Sequence, residues 1–258
     1  MKEDILGYRI DTLSVDRCAD DVFSVVCGRT VSQRNCAWLA CLNPHSYAVA
    51  VNDAAFVAAL RDAEWLVPDG AGVVMASRLL GGGITERVTG SAIFRALLER
   101  MNAAGGLSVF FLGASEETLA LIRVRMAKEF PRVRVAGTYS PPFKEAYTHA
   151  ENDAMVDAIN VANPDVLWVG LTAPKQEKWL HDHRARLQVR FAGAVGAVFD
   201  FFAGKVVRSH VVFQRLGLEW LPRLVREPRR LWRRTFVSAP VFVWHVVRSK
   251  LGRGRAGY

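Results

Sequence analysis

Residues 164–180, PDVLWVGLTAPKQEKWL, pass from an unbroken apolar run through a glycine-bounded loop into a segment that a proline opens. Apolar residues without polar alternation predict a strand covered on both faces, and Pro174 suits the first turn of the helix that follows. The same theme recurs along the chain. AWLACLN (37–43), EWLVP (64–68), LSVFFLGAS (107–115), VRVAGTYSPPF (133–143) and VRFAGAVGAVFDF (189–201) all read as short buried strands that run into Gly, Pro or polar residues. Between them lie helical patterns. SYAVAVNDAAFVAALRDA (46–63) places Val49, Phe56, Val57 and Leu60 on one side; GSAIFRALLERMNAAGG (90–106) closes on a Gly-Gly stop; Ser115 is the expected N-cap of a helix with Glu116 and Glu117 in its first turn. The alternation predicts an α/β fold of Rossmann-like type, a mainly parallel sheet with helices on both faces. In such sheets ligands collect at the carboxyl ends of the strands. Those ends are predicted at Asn43-Pro44, Asp69-Gly70, Gly113-Ala114-Ser115 and Gly170–Gln176.

With 258 residues, 51% of them apolar, the chain can bury a large core. Its net charge of +9 is uneven: residues 205–258 carry +11 and residues 1–204 carry −2. We therefore expect an α/β body over 1–204 and a basic, amphipathic segment over 205–258. Within that segment GLEWLPRLVREPRRLWRRTF (217–236) reads as one or two short helices interrupted near Pro222 and Pro228, with Arg223, Arg226, Arg230 and Arg233 on one face. A charge asymmetry of this kind implies an anionic surface met by one end of the molecule. Trp220, Trp232, Phe236 and Trp244 interleave with the arginines, which suits either a membrane interface or nucleic acid; a basic solvated face is the plain alternative. The acidic N-terminal residues predict no signal peptide, and no window reaches the ~18 apolar residues of a membrane span. Cys18, Cys27, Cys36 and Cys41 form no CxxC pair and have no histidine cluster beside them, so they read as buried reduced thiols rather than a zinc site.

Several motifs are missing. FLGASEET lacks GxGxxG, and its two glutamates would repel phosphate, so NAD and FAD are unsupported. GGG (81–83) lacks the Lys-Ser/Thr of a P-loop and reads as a surface loop. There is no GxSxG, no HExxH and no Asp-x-Asp to hold a divalent ion. What remains is GLTAPKQEKW (170–179), where Lys175, Gln176 and Glu177 at a helix start can meet an anionic ligand or form an ordinary solvated first turn. His45 reads as either a site residue or a satisfied histidine of core or surface. Asp69, between Pro68 and Gly70, stands where a glycine lets the chain bend and direct a carboxylate into a cleft.

Six ordered blocks give the chain a resemblance to the WecG/TagA/CpsF bacterial glycosyltransferases over residues 7–236. They are LNPHSYAVAVNDAAFVAALRDAEWLVPDGAGVV, ERVTGS, FFLGAS, VGLTAPKQEKW, GAVGAVFDFFAG and GLEWLPRLVREPRRLWRR. The resemblance implies inverting, metal-independent transfer of a sugar, N-acetylmannosamine-type or glucose, from a UDP-sugar to a sugar on a polyprenyl diphosphate. It implies no cofactor, a cytoplasmic enzyme attached peripherally to the inner membrane face by its C-terminal segment, and no nucleic-acid partner. A homo-oligomer is allowed. Asp69 is the implied catalytic base; Cys41, Asn43, His45, Arg87, Lys175, Gln176, Glu177, Arg223, Arg226 and Arg230 are the implied substrate contacts. The chain departs from the family pattern at Cys41, where Thr is usual, and at Arg208-Ser209-His210, where Arg-Ala-Pro is usual. A nucleic-acid-binding module on an α/β body is the second reading; a nucleotide-sugar oxidoreductase is disfavoured by the missing dinucleotide fingerprint.

Overall fold

The structure, a computed structural model, describes residues 1–28, 36–206 and 233–253. A two-stranded antiparallel hairpin, β1 (Lys2–Ile5) and β2 (Tyr8–Asp11), precedes helix α1 (Val15–Gly28). Then come β3 (Ala37–Leu42), α2 (Pro44–Ala50), α3 (Ala54–Asp62), β4 (Trp65–Pro68), α4 (Ala71–Leu80) and α5 (Gly90–Ala104). The rest of the body comprises β5 (Ser108–Gly113), α6 (Glu116–Glu129), β6 (Arg134–Tyr139), α7 (His149–Ala162), β7 (Val166–Gly170), α8 (Lys175–His183), β8 (Phe191–Ala194) and α9 (Val198–Phe202). A π-helical turn (Arg233–Ser238) leads into α10 (Ala239–Arg253).

Strands β3–β8 form one six-stranded sheet in the order β4-β3-β8-β7-β5-β6, every pairing parallel, as the unbroken apolar strands predict. Alternate strand residues divide between two cores, because successive side chains point to opposite faces. Trp38, Ala40, Leu42, Phe110, Leu112, Leu167 and Val169 pack with Phe56, Met155 and Trp179 of α3, α7 and α8. Leu39, Val109, Phe111, Val166 and Trp168 pack with Val22, Phe94 and Ile122 of α1, α5 and α6.

Two predicted elements differ. The helix expected over 46–63 is two helices, because the first ends at Ala50 with Val51 as its C-cap and Asp53 accepts the Phe56 N–H at 3.0 Å to cap a new one. An apolar face that continues across Asn-Asp hides this break, since side-chain capping there competes with helix continuation. Pro174 is the N-cap of α8 rather than a first-turn residue, after a cis Ala173–Pro174 bond. Among the cysteines, Cys18 and Cys36 are buried, but Cys27 is exposed near the end of α1 and Cys41 is half-buried. The arginine-bearing stretch 217–232, with Arg223, Arg226 and Arg230, and the Arg208-Ser209-His210 departure lie outside the described residues.

Gly193 of β8 pairs with both Leu39 and Trp168, and the Trp168 ring lies over it: a Cβ there would come within 2.3 Å of the indole. Close packing leaves that ring little room to move. We expect Gly193→Ala to lower stability by about 1–3 kcal/mol, and the melting temperature by roughly 2–4 °C for each kcal/mol in a chain of this size. Thermal unfolding followed by circular dichroism measures it.

Candidate active site

A cavity of about 1020 Å³ opens along the carboxyl ends of the sheet. Its walls include Cys41 and Asn43 after β3, Asp69 after β4, Ser115 and Glu116 after β5, Ser140 and Phe143 after β6, Leu171–Glu177 after β7, and Val195–Phe201 after β8. Every site residue expected from the sequence and present in the described residues lines it: Cys41, Asn43, His45, Asp69, Arg87, Lys175, Gln176 and Glu177.

Asp69 is held from two directions. In the parallel register Leu42 lies opposite Pro68, and the Asp69 N–H donates to the Leu42 carbonyl at 2.8 Å. Gly70 follows with φ +104°, a conformation that non-glycine residues rarely adopt, and α4 starts immediately after it. Asn43 supplies the second hold. Its Oδ1 accepts the N–H groups of His45 and Ser46 at 3.0 and 2.9 Å, capping α2, while the Ser46 hydroxyl takes the Asn43 N–H at 2.8 Å. That cap fixes which end of the amide faces the carboxylate, and Nδ2 donates to Asp69 Oδ2 at a long 3.4 Å. The segment that carries Arg87 is tied to the same point because the next residue, Val88, donates its N–H to the Pro68 carbonyl at 3.0 Å, and Arg87 lines the same cavity.

Cys41 lies against the N-terminus of α5. A Cβ on Gly90 would come 3.2 Å from the sulfur, so glycine permits this approach, and the Gly90 N–H bonds the thiol. Desolvation first, and then the charges of Asp69 and Glu177, push the Cys41 thiol well above its usual range. It stays neutral at pH 7.

The α8 start is not the solvated first turn that its sequence also allowed. Gln176 and Glu177 are 4% and 2% exposed. Gln176 Nε2 donates to Glu177 Oε1 at 2.8 Å, and among the described residues Gln176 Oε1 and Glu177 Oε2 are buried without a hydrogen-bond partner. Burial pushes the Glu177 carboxyl up to about 7, against 4.5 in water. Lys175 Nζ donates to the Lys144 carbonyl at 2.6 Å and lies 4.8 Å from the Tyr147 ring centroid; desolvation lowers its pKa.

His45 is neither a plain core nor a plain surface histidine. Its Nδ1 meets Ser238 Oγ at 2.8 Å, just before α10. Tyr47 OH meets His245 Nδ1 at 2.7 Å, and Phe242 and Val246 are buried on the same side of α2. The C-terminal helix therefore packs on α2 and α4, beside the helix that starts at Asn43. Sequence reading missed this seat, along with Phe143 and Tyr147; the S-P-P-F turn after a predicted strand was the available signal for the last two.

Comparison with known proteins follows the same line. Residues 3–256 match the family described as "Glycosyl transferase WecG/TagA/CpsF family". A Bacillus spizizenii protein named N-acetylglucosaminyldiphosphoundecaprenol N-acetyl-beta-D-mannosaminyltransferase is 31% identical over 228 residues, covering 88% of this chain and 85% of its own. A Bacillus subtilis protein of the same name is 30% identical, covering 85% and 82%. One from Staphylococcus aureus is 25% identical over 249 residues, covering 96% and 93%.

Because the folded chain holds the Glu177 proton that the unfolded chain has lost between pH 4.5 and about 7, stability falls as pH rises through that window and levels off above it. Glu177→Gln removes this loss. At pH 8 the variant is expected to exceed the parent by on the order of 3 kcal/mol, and near pH 4 to match it. Urea unfolding at the two pH values checks this.

Proposed function

The chain belongs to the WecG/TagA/CpsF family of glycosyl transferases, and from that premise we propose that it moves an N-acetylmannosamine-type sugar from a UDP-sugar to a polyprenyl-diphosphate-linked N-acetylglucosamine. The relatives' names supply the acceptor and the sugar class. The observation that carries the rest is the Asp69 carboxylate on the wall of the large cavity, held by an amide donor, with Arg87 lining the same cavity.

In the proposed step Asp69 takes the proton of the acceptor hydroxyl while that oxygen forms a bond to C1 of the donor sugar. The C1–O bond to the diphosphate breaks on the opposite face, UDP leaves with the electron pair, and the anomeric centre inverts. Asn43, oriented by the cap of α2, keeps the carboxylate turned toward the cavity. Arg87 and Lys175, together with Arg223, Arg226 and Arg230 of the C-terminal segment, balance the charge that develops on the diphosphate. The step uses no metal ion: the sequence has no Asp-x-Asp, and the cations of the protein take that part.

The acceptor is a lipid, which brings the C-terminal segment into the reading. Among the described residues no helix is long and apolar enough to cross a membrane. Around α10, however, Phe236, Val237, Val243, Trp244, Val247 and Leu251 are exposed, while Phe242 and Val246 anchor the same helix to the body. Basic charge beside exposed aromatic and aliphatic residues suits peripheral attachment to an anionic bilayer.

Asp69→Asn is expected to lower kcat by ~10²–10⁴ with UDP affinity nearly unchanged; turnover above a tenth of the parent rate would rule Asp69 out as the base. The double change Trp244→Glu and Val247→Glu is expected to reduce co-sedimentation with anionic vesicles severalfold with no change in melting temperature, since both side chains already face water. Unaltered sedimentation would remove α10 from the membrane contact.

A further inference from the structure

Helix α6 carries apolar residues on two opposite sides, and the fold uses only one of them. Leu119, Ile122 and Met126 are buried against the sheet. Ala120, Leu121, Val124 and Ala127 are exposed among the described residues, Leu121 at 40% and Val124 at 70%. At about 100° per residue Val124 falls at the middle of the outward side, with Ala120 and Leu121 one turn before it and Ala127 and Lys128 one turn after. A surface helix keeps that side polar, and a helix that is apolar all round is covered all round. The two ends of the stripe are charged. Glu117 stands in the first turn, its side chain 78% exposed although it pairs with Lys205, and Lys128 stands in the last.

A bilayer is a poor occupant for this stripe. The helix with the exposed aromatic residues, α10, is anchored by Phe242 and Val246 to the core on the other face of the sheet, so a flat surface that meets α10 does not reach α6. The acidic end of the stripe would also repel anionic lipid. A second copy of the chain fits, because the stripe complements itself. Leu121 with Val124, and Glu117 with Lys128, share one midpoint along the helix. A two-fold axis at that midpoint sets two α6 helices antiparallel. It brings Leu121 of one copy to Val124 of the other, and Glu117 of one copy to Lys128 of the other at both ends. Ala120 and Ala127 are small enough to let the helices approach closely. Arg95, Glu99, Arg125 and Glu129, joined in ion pairs beside the stripe, give it a polar rim.

We infer that the outward stripe of α6 is the surface through which two copies of this chain associate, antiparallel helix on helix. The association is weak and reversible, because two helices of about four turns bury less than the ~1,200 Å² at which stable interfaces begin. It leaves α10 of both copies uncovered. It also adjoins the large cavity of each copy, since Glu116, the first residue of α6, lines that cavity.

Sedimentation equilibrium of the full chain over a range of concentrations tests this. The parent is expected to pass from monomer to dimer, with half of the chains paired at roughly 10–100 μM. Val124→Glu weakens the pairing at least about tenfold with the melting temperature unchanged, since the side chain already faces water. Lys128→Glu sets acid against acid at both ends and weakens it about fivefold. Adding Glu117→Lys to Lys128→Glu restores it, a rescue that only the antiparallel register gives. A parent that stays monomeric throughout overturns the inference. A dimer that tolerates both Val124→Glu and Lys128→Glu pairs through another surface, and the inference fails. It fails too if Val124→Glu lowers co-sedimentation with anionic vesicles while self-association holds, which makes the stripe a membrane contact. A lower melting temperature of Val124→Glu in a monomeric parent means that the chain covers the stripe itself, and this also overturns the inference.

Discussion

Parallel pairing of β3 with β4, Leu42 opposite Pro68, decides where the chemistry can be. Strands that run the same way end at the same edge, so the residues that follow them leave the sheet side by side. Asn43 and Asp69 are 26 positions apart in the chain and become neighbours only through this register. The Asp69 N–H to Leu42 carbonyl bond continues the pairing one residue beyond the strands, and the Val88 N–H to Pro68 carbonyl bond ties the Arg87 segment to the same point. Loosening the β3–β4 pair would separate the carboxylate from its amide donor and from the segment that carries Arg87.

The second consequence of the parallel sheet is electrostatic. Each strand end is followed by a helix start, so N-termini of α2, α4, α5, α6, α8 and α9 gather around one opening. Their uncapped or partly capped N–H groups favour anions. Burial works in the other direction on the acids, and at Glu177 burial wins: the carboxyl is raised toward neutrality although it sits in the first turn of a helix. A cavity that favours outside anions while keeping its thiol neutral and suppressing the charge of its deeper acid is suited to a diphosphate. Asp69, less buried and next to an amide donor, is the acid to which our reading gives the proton.

The C-terminal helix is seated on α2 and α4, the helices that follow the β3 and β4 ends at this edge of the sheet. His45 and Tyr47 lie on α2, whose cap is Asn43, and both meet side chains on the last described segment. The seat of the C-terminal helix and the cap beside the carboxylate thus share a seven-residue helix. Family membership makes the chain an enzyme, and the exposed Trp244 and Val243 fit a bilayer in our reading.

Much of this was legible in the linear sequence. Apolar runs at 109–112 and 166–170, each closing on a glycine, read as strands covered on both faces, and their alternation with helical patterns predicts a parallel sheet with its site at the strand ends. Pro68-Asp69-Gly70 announced its carboxylate because glycine after an acid marks a bend. The sequence could not show that Gln176 and Glu177 are buried, because burial depends on α8 lying against other elements, and Pro-Lys-Gln-Glu-Lys reads equally well as a solvated turn. The β1–β2 hairpin escaped notice since its turn, Leu6-Gly7, places a leucine at positive φ, which local propensity argues against and tertiary packing permits. The seat of α10 on α2 joins residues 193 and 198 positions apart, a distance over which no local pattern carries information. Local periodicity determined the layers of this protein; which side chains face one another across the cavity was decided only when the sheet closed and its strand ends were brought to a common edge.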